Sequence, residues 1–240
     1  MKQLINERIC DLAINNYSFI QLFQDYKIDF FCKGSQTLKE ALKNGEVEEE
    51  RFVKSMNEIQ SKGVRDYSVR IEDWPLDLLA DYIQKTHHRF TDRVLVEIKS
   101  AVNNCLEGKY KDNKVLTAFK IPLELLAKEL GGHMKKEEFI LFPYIRKMVS
   151  TRGKLEEPRF KSVENPIDMM IHEHDTAFEL LKEIRVIFNN YIVNESSPEE
   201  IKSIVLLMSD LDHDLTLHLH LENNILFPKV VEFEKNRLFL

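Results

Sequence analysis

Cysteine, glycine, proline and surplus positive charge are all scarce in this 240-residue chain. Each scarcity removes a class of protein. Three cysteines, Cys10, Cys32 and Cys105, are too few and too far apart for a disulfide framework or a Cys-x-x-Cys pair, and they suit a reducing compartment. Seven glycines and seven prolines are too few for an all-β chain, which needs turn residues every ~8–12 positions. Lys and Arg number 34 against 40 Asp and Glu, a net charge of −6, so nucleic acid is not an expected partner. No apolar run approaches the ~18–20 residues that span a bilayer. Met1 to Arg8 lack the apolar stretch of a signal peptide. The expectation is a cytoplasmic protein with no membrane partner. There is also no Ser–His–Asp signature and no glycine-rich phosphate loop.

Apolar residues, at 43%, and charged residues, at 31%, are plentiful, which excludes disorder as the dominant state. The length suffices for one large or two modest domains. Residues 1–70 read as a small helical N-terminal domain with a Cys32-x-Gly34 motif. Its pieces are a helix over Tyr17–Tyr26, a second capped by Ser35, Gln36 or Thr37 and stopped by Gly45, and a third over Glu46–Gln60 ended by Gly63. Trp74-Pro75 opens the second domain, residues 71–240, with Pro75 in a first helical turn and Asp73 as cap. Apolar periodicity then predicts four long helices over 75–106, 114–150, 166–193 and 198–232, with Pro122 either kinking the second or preceding its start. Four such helices joined by short connections predict an all-α fold, an up-down-up-down four-helix bundle.

A repeat lies inside that bundle. The second helix reads His133-x-x-x-Glu137-x-x-Ile140-Leu141-Phe142-Pro143 and the fourth reads His218-x-x-x-Glu222-x-x-Ile225-Leu226-Phe227-Pro228. Each odd-numbered helix offers an upstream histidine: His87 precedes His133 by 46 residues, and His174 precedes His218 by 44. Spacing i, i+4 places His and Glu on one helical face, so four imidazoles and two carboxylates are expected to converge. A lone His-x-x-x-Glu is ordinarily a solvated pair; the second copy at identical offsets favours metal. Two facing buried glutamates are costly unless cations compensate them, and imidazole with carboxylate but no thiolate suits iron, with manganese or zinc as alternatives. Ile-Leu-Phe-Pro reads as packing followed by a helix kink or end. His172 and His220 are expected on other faces, His88 cannot share the direction of His87, and His213 reads as solvated.

These blocks resemble the hemerythrin-like family, and more narrowly the di-iron proteins for repair of iron centres, the iron–sulfur cluster repair family. The resemblance rests on Thr86-His87-His88, on both His-x-x-x-Glu blocks, on Glu173-His174-Asp175, and on Tyr26-x-Ile28-Asp29-Phe30-Phe31-Cys32-x-Gly34-x-x-Thr37-Leu38 near the N-terminus. It implies His87, His133, His174 and His218 as terminal ligands and Glu137 and Glu222 as bridges. These hold two non-heme iron ions per chain, with an oxo bridge on oxidation. The family carries two adjacent cysteines in its small domain. Here Phe31 replaces the first, leaving Cys32 as an accessory thiol or an apolar filler. The implied role is stress-response repair of clusters damaged by nitric oxide or oxidants, through non-enzymatic delivery of iron to proteins with damaged clusters, by a homodimer. Three rival readings stay open: a binder or sensor of dioxygen or nitric oxide, a di-iron enzyme reducing nitric oxide or peroxide, and a metal-free helical interaction protein.

Overall fold

Residues 4–61, 71–153, 156 and 158–238 are described in a computed structural model of the chain. Every regular element among them is helical; the one sheet-like contact is an isolated bridge between Arg8 and Thr37. The N-terminal domain holds α1 (Ile9–Asn15), α2 (Tyr17–Asp25), α3 (Leu38–Asn44) and α4 (Glu49–Ser61). Of the three candidate caps for α3, Thr37 is used. Its hydroxyl accepts from the Glu40 N–H at 3.3 Å while the Glu40 carboxylate accepts from the Thr37 N–H at 2.9 Å, a reciprocal capping box. The helix stops at Gly45, as expected. The expected stop at Gly63 and the boundary between residues 70 and 71 lie at or beside residues outside the described set.

The bundle consists of four rods. The first joins α5 (Leu76–Tyr82) and α6 (Arg89–Glu107) through a π-helical turn, Ile83–His88. The second joins α7 (Lys114–Lys136) and α8 (Phe142–Ser150) through a second such turn, Glu137–Leu141. The third is α9 (Glu164–Ile187). The fourth joins α10 (Glu199–His220) and α11 (Phe227–Leu238) through Leu221–Leu226, also π-helical. Rod one packs beside rods two and four, and rod two beside rod three. Asn113 caps α7 by accepting from the Leu116 N–H at 3.0 Å, and the helix runs on through buried Pro122, so a start after that proline is excluded. Pro75 itself stands at the N-cap of α5, so the cap position does not fall at Asp73.

Neither Ile-Leu-Phe-Pro block ends its rod. A proline inside a helix cannot donate to the carbonyl four residues back and its ring crowds it. For Pro143 and Pro228 those residues, Phe139 and Asn224, fall within the π-helical turns, whose wider backbone relieves the crowding. A sequence feature expected to kink or end the helix instead widens it over the turn that carries the glutamate.

The apolar interior is divided in two. One cluster gathers Val94, Ile98, Phe119, Leu126, Leu181 and Met208 with their neighbours; the other gathers Leu79, Ile83, Phe142, Ile145, Met170 and Leu226 with theirs. In every rod the residues between these clusters are the histidines and glutamates of the repeat. The N-terminal domain has a third cluster around Phe23, Phe30, Leu38 and Phe52, which takes in Phe178 and Leu219 from the bundle. The Phe31 ring meets Phe178 edge-on at 4.8 Å, and Phe30 packs 5.1 Å from the His220 ring. Gly34 is required at this seam, because a Cβ there would lie 2.7 Å from Asn224 Oδ1 and 2.8 Å from Cys10 Cβ. No helix among the described residues is long and apolar enough to cross a membrane.

Candidate metal centre

Between the two bundle clusters, six side chains from four rods form two overlapping groups. His88, Glu137, His218 and Glu222 form one; His133, Glu137, His174 and Glu222 form the other. In each group the potential ligand atoms lie within 4.8 Å of one another, and all are buried. Glu137 Oε2 lies 3.3 Å from His88 Nε2 and 3.3 Å from His133 Nε2. Glu222 offers Oε1 to His218 Nε2 at 2.9 Å and Oε2 to His174 Nε2 at 3.2 Å. Each carboxylate therefore spans one histidine of each group.

The outward nitrogens of three of these four imidazoles are held by a second set of residues. His88 Nδ1 pairs with Glu138 at 2.9 Å, His133 Nδ1 with Glu173 at 3.1 Å, and His174 Nδ1 with Asn223 Oδ1 at 2.8 Å. Lys136 in turn bonds Glu173. Such pairings fix the ring orientation and leave Nε2 to face inward.

Charge in this layer is finely opposed. Burial and the facing Glu222 both push Glu137 toward its neutral form, but His133 and His88 hold its pKa below the ordinary carboxylate value. Burial works on Glu222 in the same direction, and His218 and His174 overcome it. Burial disfavours a charged His133, yet Glu137 and Glu173 raise its pKa to about 10. Hydrogen bonding to His133, ahead of that to Lys136, lowers Glu173 to about 2. Burial lowers His218. His133 Nε2 also meets His174 Nε2 at 2.9 Å, a contact that needs a shared proton or a cation between the rings.

The donor set fits a pair of cations. Both oxygens of Glu137, Glu222 Oε2 and His88 Nε2 are buried without a hydrogen-bond partner. Leaving such groups unpaired costs about 1–3 kcal/mol each, more when charged, and cations at the two groups would satisfy them together.

Five of the six expected residues, His133, Glu137, His174, His218 and Glu222, are brought together. His87 is not among them: its neighbour His88 takes the inward position, and His87 Nδ1 turns to Asp214 at 3.0 Å. Consecutive helical residues point about 100° apart, and the π-helical turn Ile83–His88 sets which of the two faces inward. With His88, the first spacing becomes 45 residues against 44 in the second copy, closer to a true repeat. His220, expected on another face, is buried with Nδ1 against Asn224 at 2.8 Å; His172 and His213 are exposed. Cys32 stands outside both groups. Burial, then Asp29 and Asp175, raises its pKa far above that of an ordinary thiol, so it is held protonated.

The residues missed in the sequence are His88 and the outer partners Glu138, Glu173 and Asn223. Two of these carried a signal. Glu138 and Asn223 occupy the same position of the two repeat copies, one residue after the glutamate, and each accepts from the histidine of the preceding rod.

The chain is similar to known proteins along most of its length. Residues 78–230 match the profile of the hemerythrin HHE cation binding domain, and residues 5–60 that of ScdA_N, a domain of unknown function. The iron-sulfur cluster repair protein YtfE of Edwardsiella ictaluri (strain 93-146) is 31% identical over 227 residues, covering 92% of this chain and 95% of that protein. The protein of that name from Escherichia coli O8 (strain IAI1) is 29% identical over 230 residues, 93% and 96% of the two chains. The chain therefore belongs to the hemerythrin HHE cation-binding family, and aligns with the YtfE repair proteins over nearly the whole length of both.

Proposed function

We propose that this protein repairs damaged iron–sulfur clusters, and that it does so by giving up iron held between Glu137 and Glu222. The single observation that carries the reading is the pair of four-residue groups sharing both carboxylates, in a chain similar over its length to proteins named for cluster repair. His88 and His218 would hold one iron ion and His133 and His174 the other, with Glu137 and Glu222 within reach of both. When bound, the ions supply the positive charge that two apposed buried carboxylates require.

The protein's own residues do the rest. Glu138, Glu173 and Asn223 keep three imidazoles turned inward, and the apolar clusters above and below exclude bulk water. Four neutral imidazoles with two carboxylates carry less negative charge than a carboxylate-rich cage, so release is easier, and iron is cargo as much as constituent. Delivery is non-enzymatic in this reading, and its setting is the cytoplasm.

The test is transfer. Iron-loaded protein is mixed anaerobically with an enzyme whose iron–sulfur cluster has been destroyed by nitric oxide, with sulfide supplied, and recovery of that enzyme is followed. Recovery with the native protein and none with Glu222→Ala supports the reading. Full iron retention while the client stays inactive would overturn it.

A further inference from the structure

The two halves of the centre are unequal, and the difference lies at His87. In one half the residue preceding ligand His174 is Glu173, whose carboxylate supports His133 Nδ1. The corresponding residue in the other half, preceding His88, is His87. It supplies no carboxylate to His218, whose Nδ1 is buried and without a partner. The His87 ring instead lies parallel to the His218 ring, with centroids 5.7 Å apart and planes 13° from parallel.

His87 has the features of a metal ligand without belonging to either group. It is 2% exposed, its Nδ1 is fixed on a carboxylate, that of Asp214, at 3.0 Å, and its Nε2 is buried with no partner. Buried imidazoles supported in this way are the rule at metal sites; His88 with Glu138 and His133 with Glu173 show the same arrangement here. Asp214 adds an unpartnered oxygen of its own, Oδ2, and its side chain is 20% exposed. From the centre outward the order is His218, then His87, then Asp214, the one of the three whose side chain is partly exposed. Tyr82 lies edge-on against His87 at 5.4 Å and walls this route.

We propose that His87 and Asp214 form a transit site for a divalent metal ion, through which the ion held by His88 and His218 enters and leaves. The inference rests on the two-ion reading above. It makes that ion the labile one, because its ligand His218 lacks outer support, while both His133 and His174 have it. His87 Nε2 takes up the departing ion as His218 lets go, and Asp214 passes it to solvent or to an acceptor.

The experiment loads native protein, His87→Gln and Asp214→Asn with ferrous iron under anaerobic conditions. Iron per chain and thermal midpoint are measured first, then the time course of iron loss to an excess of a chromogenic ferrous chelator. The native protein is expected to lose its two ions in two phases. Both variants are expected to keep full iron content and to slow the fast phase about tenfold, leaving the slow phase unchanged. A residue that merely supported the site would have the opposite effect, since its removal speeds loss. An unchanged or faster fast phase overturns the transit site. So does the loss of one ion from His87→Gln, which would make His87 a resident ligand. Native protein that takes up no iron would overturn the two-ion reading itself, and the transit site with it.

Discussion

The imidazole of His174 and the main-chain carbonyl of Phe31 are tied together by one side chain. Asn223 accepts at Oδ1 from His174 Nδ1, at 2.8 Å, and donates from Nδ2 to the Phe31 carbonyl at 3.3 Å. Its neighbour Asn224 donates to the Phe30 carbonyl at 2.9 Å. The N-terminal domain is thus anchored on the turn that carries Glu222, and the orientation of a candidate metal ligand depends on that anchorage.

Replacing Asn223 by alanine should affect both partners at once. Metal affinity is expected to fall 10–100-fold, the order found for outer partners of ligating histidines, and amide exchange over residues 28–34 to quicken. Asn223→Asp keeps the acceptor for His174 but loses the donor to Phe31. It should retain metal better than the alanine variant while still loosening residues 28–34. Competition against a chelator of known affinity, with hydrogen exchange mass spectrometry, measures the two effects separately.

His88 and His87 should behave oppositely on substitution. His88→Ala removes a residue of one four-member group and is expected to reduce bound iron by about one ion per chain. His87→Ala should leave iron content intact. Elemental analysis of anaerobically loaded proteins distinguishes them, and the reverse pattern would restore the assignment made from sequence spacing.

Loading should be linked to pH through His133. Its pKa stands near 10 in the metal-free protein, above the ordinary histidine value, so the ring carries a proton at neutral pH that a cation must displace. Apparent affinity is therefore expected to rise with pH by up to about tenfold per unit until pH nears 10, and to weaken as pH falls. Calorimetric titration with metal in buffers of different ionisation enthalpy should show proton release at pH 7, and less release from His133→Ala.

Acid stability of the metal-free protein should report on His220. Burial lowers its pKa to about 3, below the value near 6.5 of an unfolded chain, so the unfolded state binds this proton first. The stabilising contribution is complete above pH 6.5 and declines as pH falls from about 6.5 toward 3, by about 1.4 kcal/mol per unit. Urea unfolding at several pH values should give His220→Gln a shallower loss over that window, even though lost packing against Phe30 makes it less stable at pH 7.

Much of the centre was legible because it is written twice. The spacing of His133 to Glu137 and of His218 to Glu222 is fixed by helical geometry alone, and His174 stands with no adjacent histidine to compete with it. The choice between His87 and His88 was not legible. It depends on a π-helical turn, and connection lengths between rods vary by more than the one residue in question. Glu173 and Asp214 act across helix–helix contacts that no local spacing encodes, and the seating of Phe30 and Phe31 on Asn223 and Asn224 joins residues 192 and 194 positions apart. The rods themselves were read nearly to length, since apolar periodicity fixes a buried face. The widened turns before Phe142 and Phe227 escaped, because proline signals a disturbed helix without saying how the backbone absorbs it.

The charged layer that splits the bundle's interior has a mechanical meaning. Each half of the bundle owns a complete apolar core, so withdrawing metal from the layer between them would cut a tie between two cores and leave both standing. Small zinc domains are built the other way and collapse without their metal. A chain arranged like this one can surrender its contents and be refilled without passing through an unfolded state.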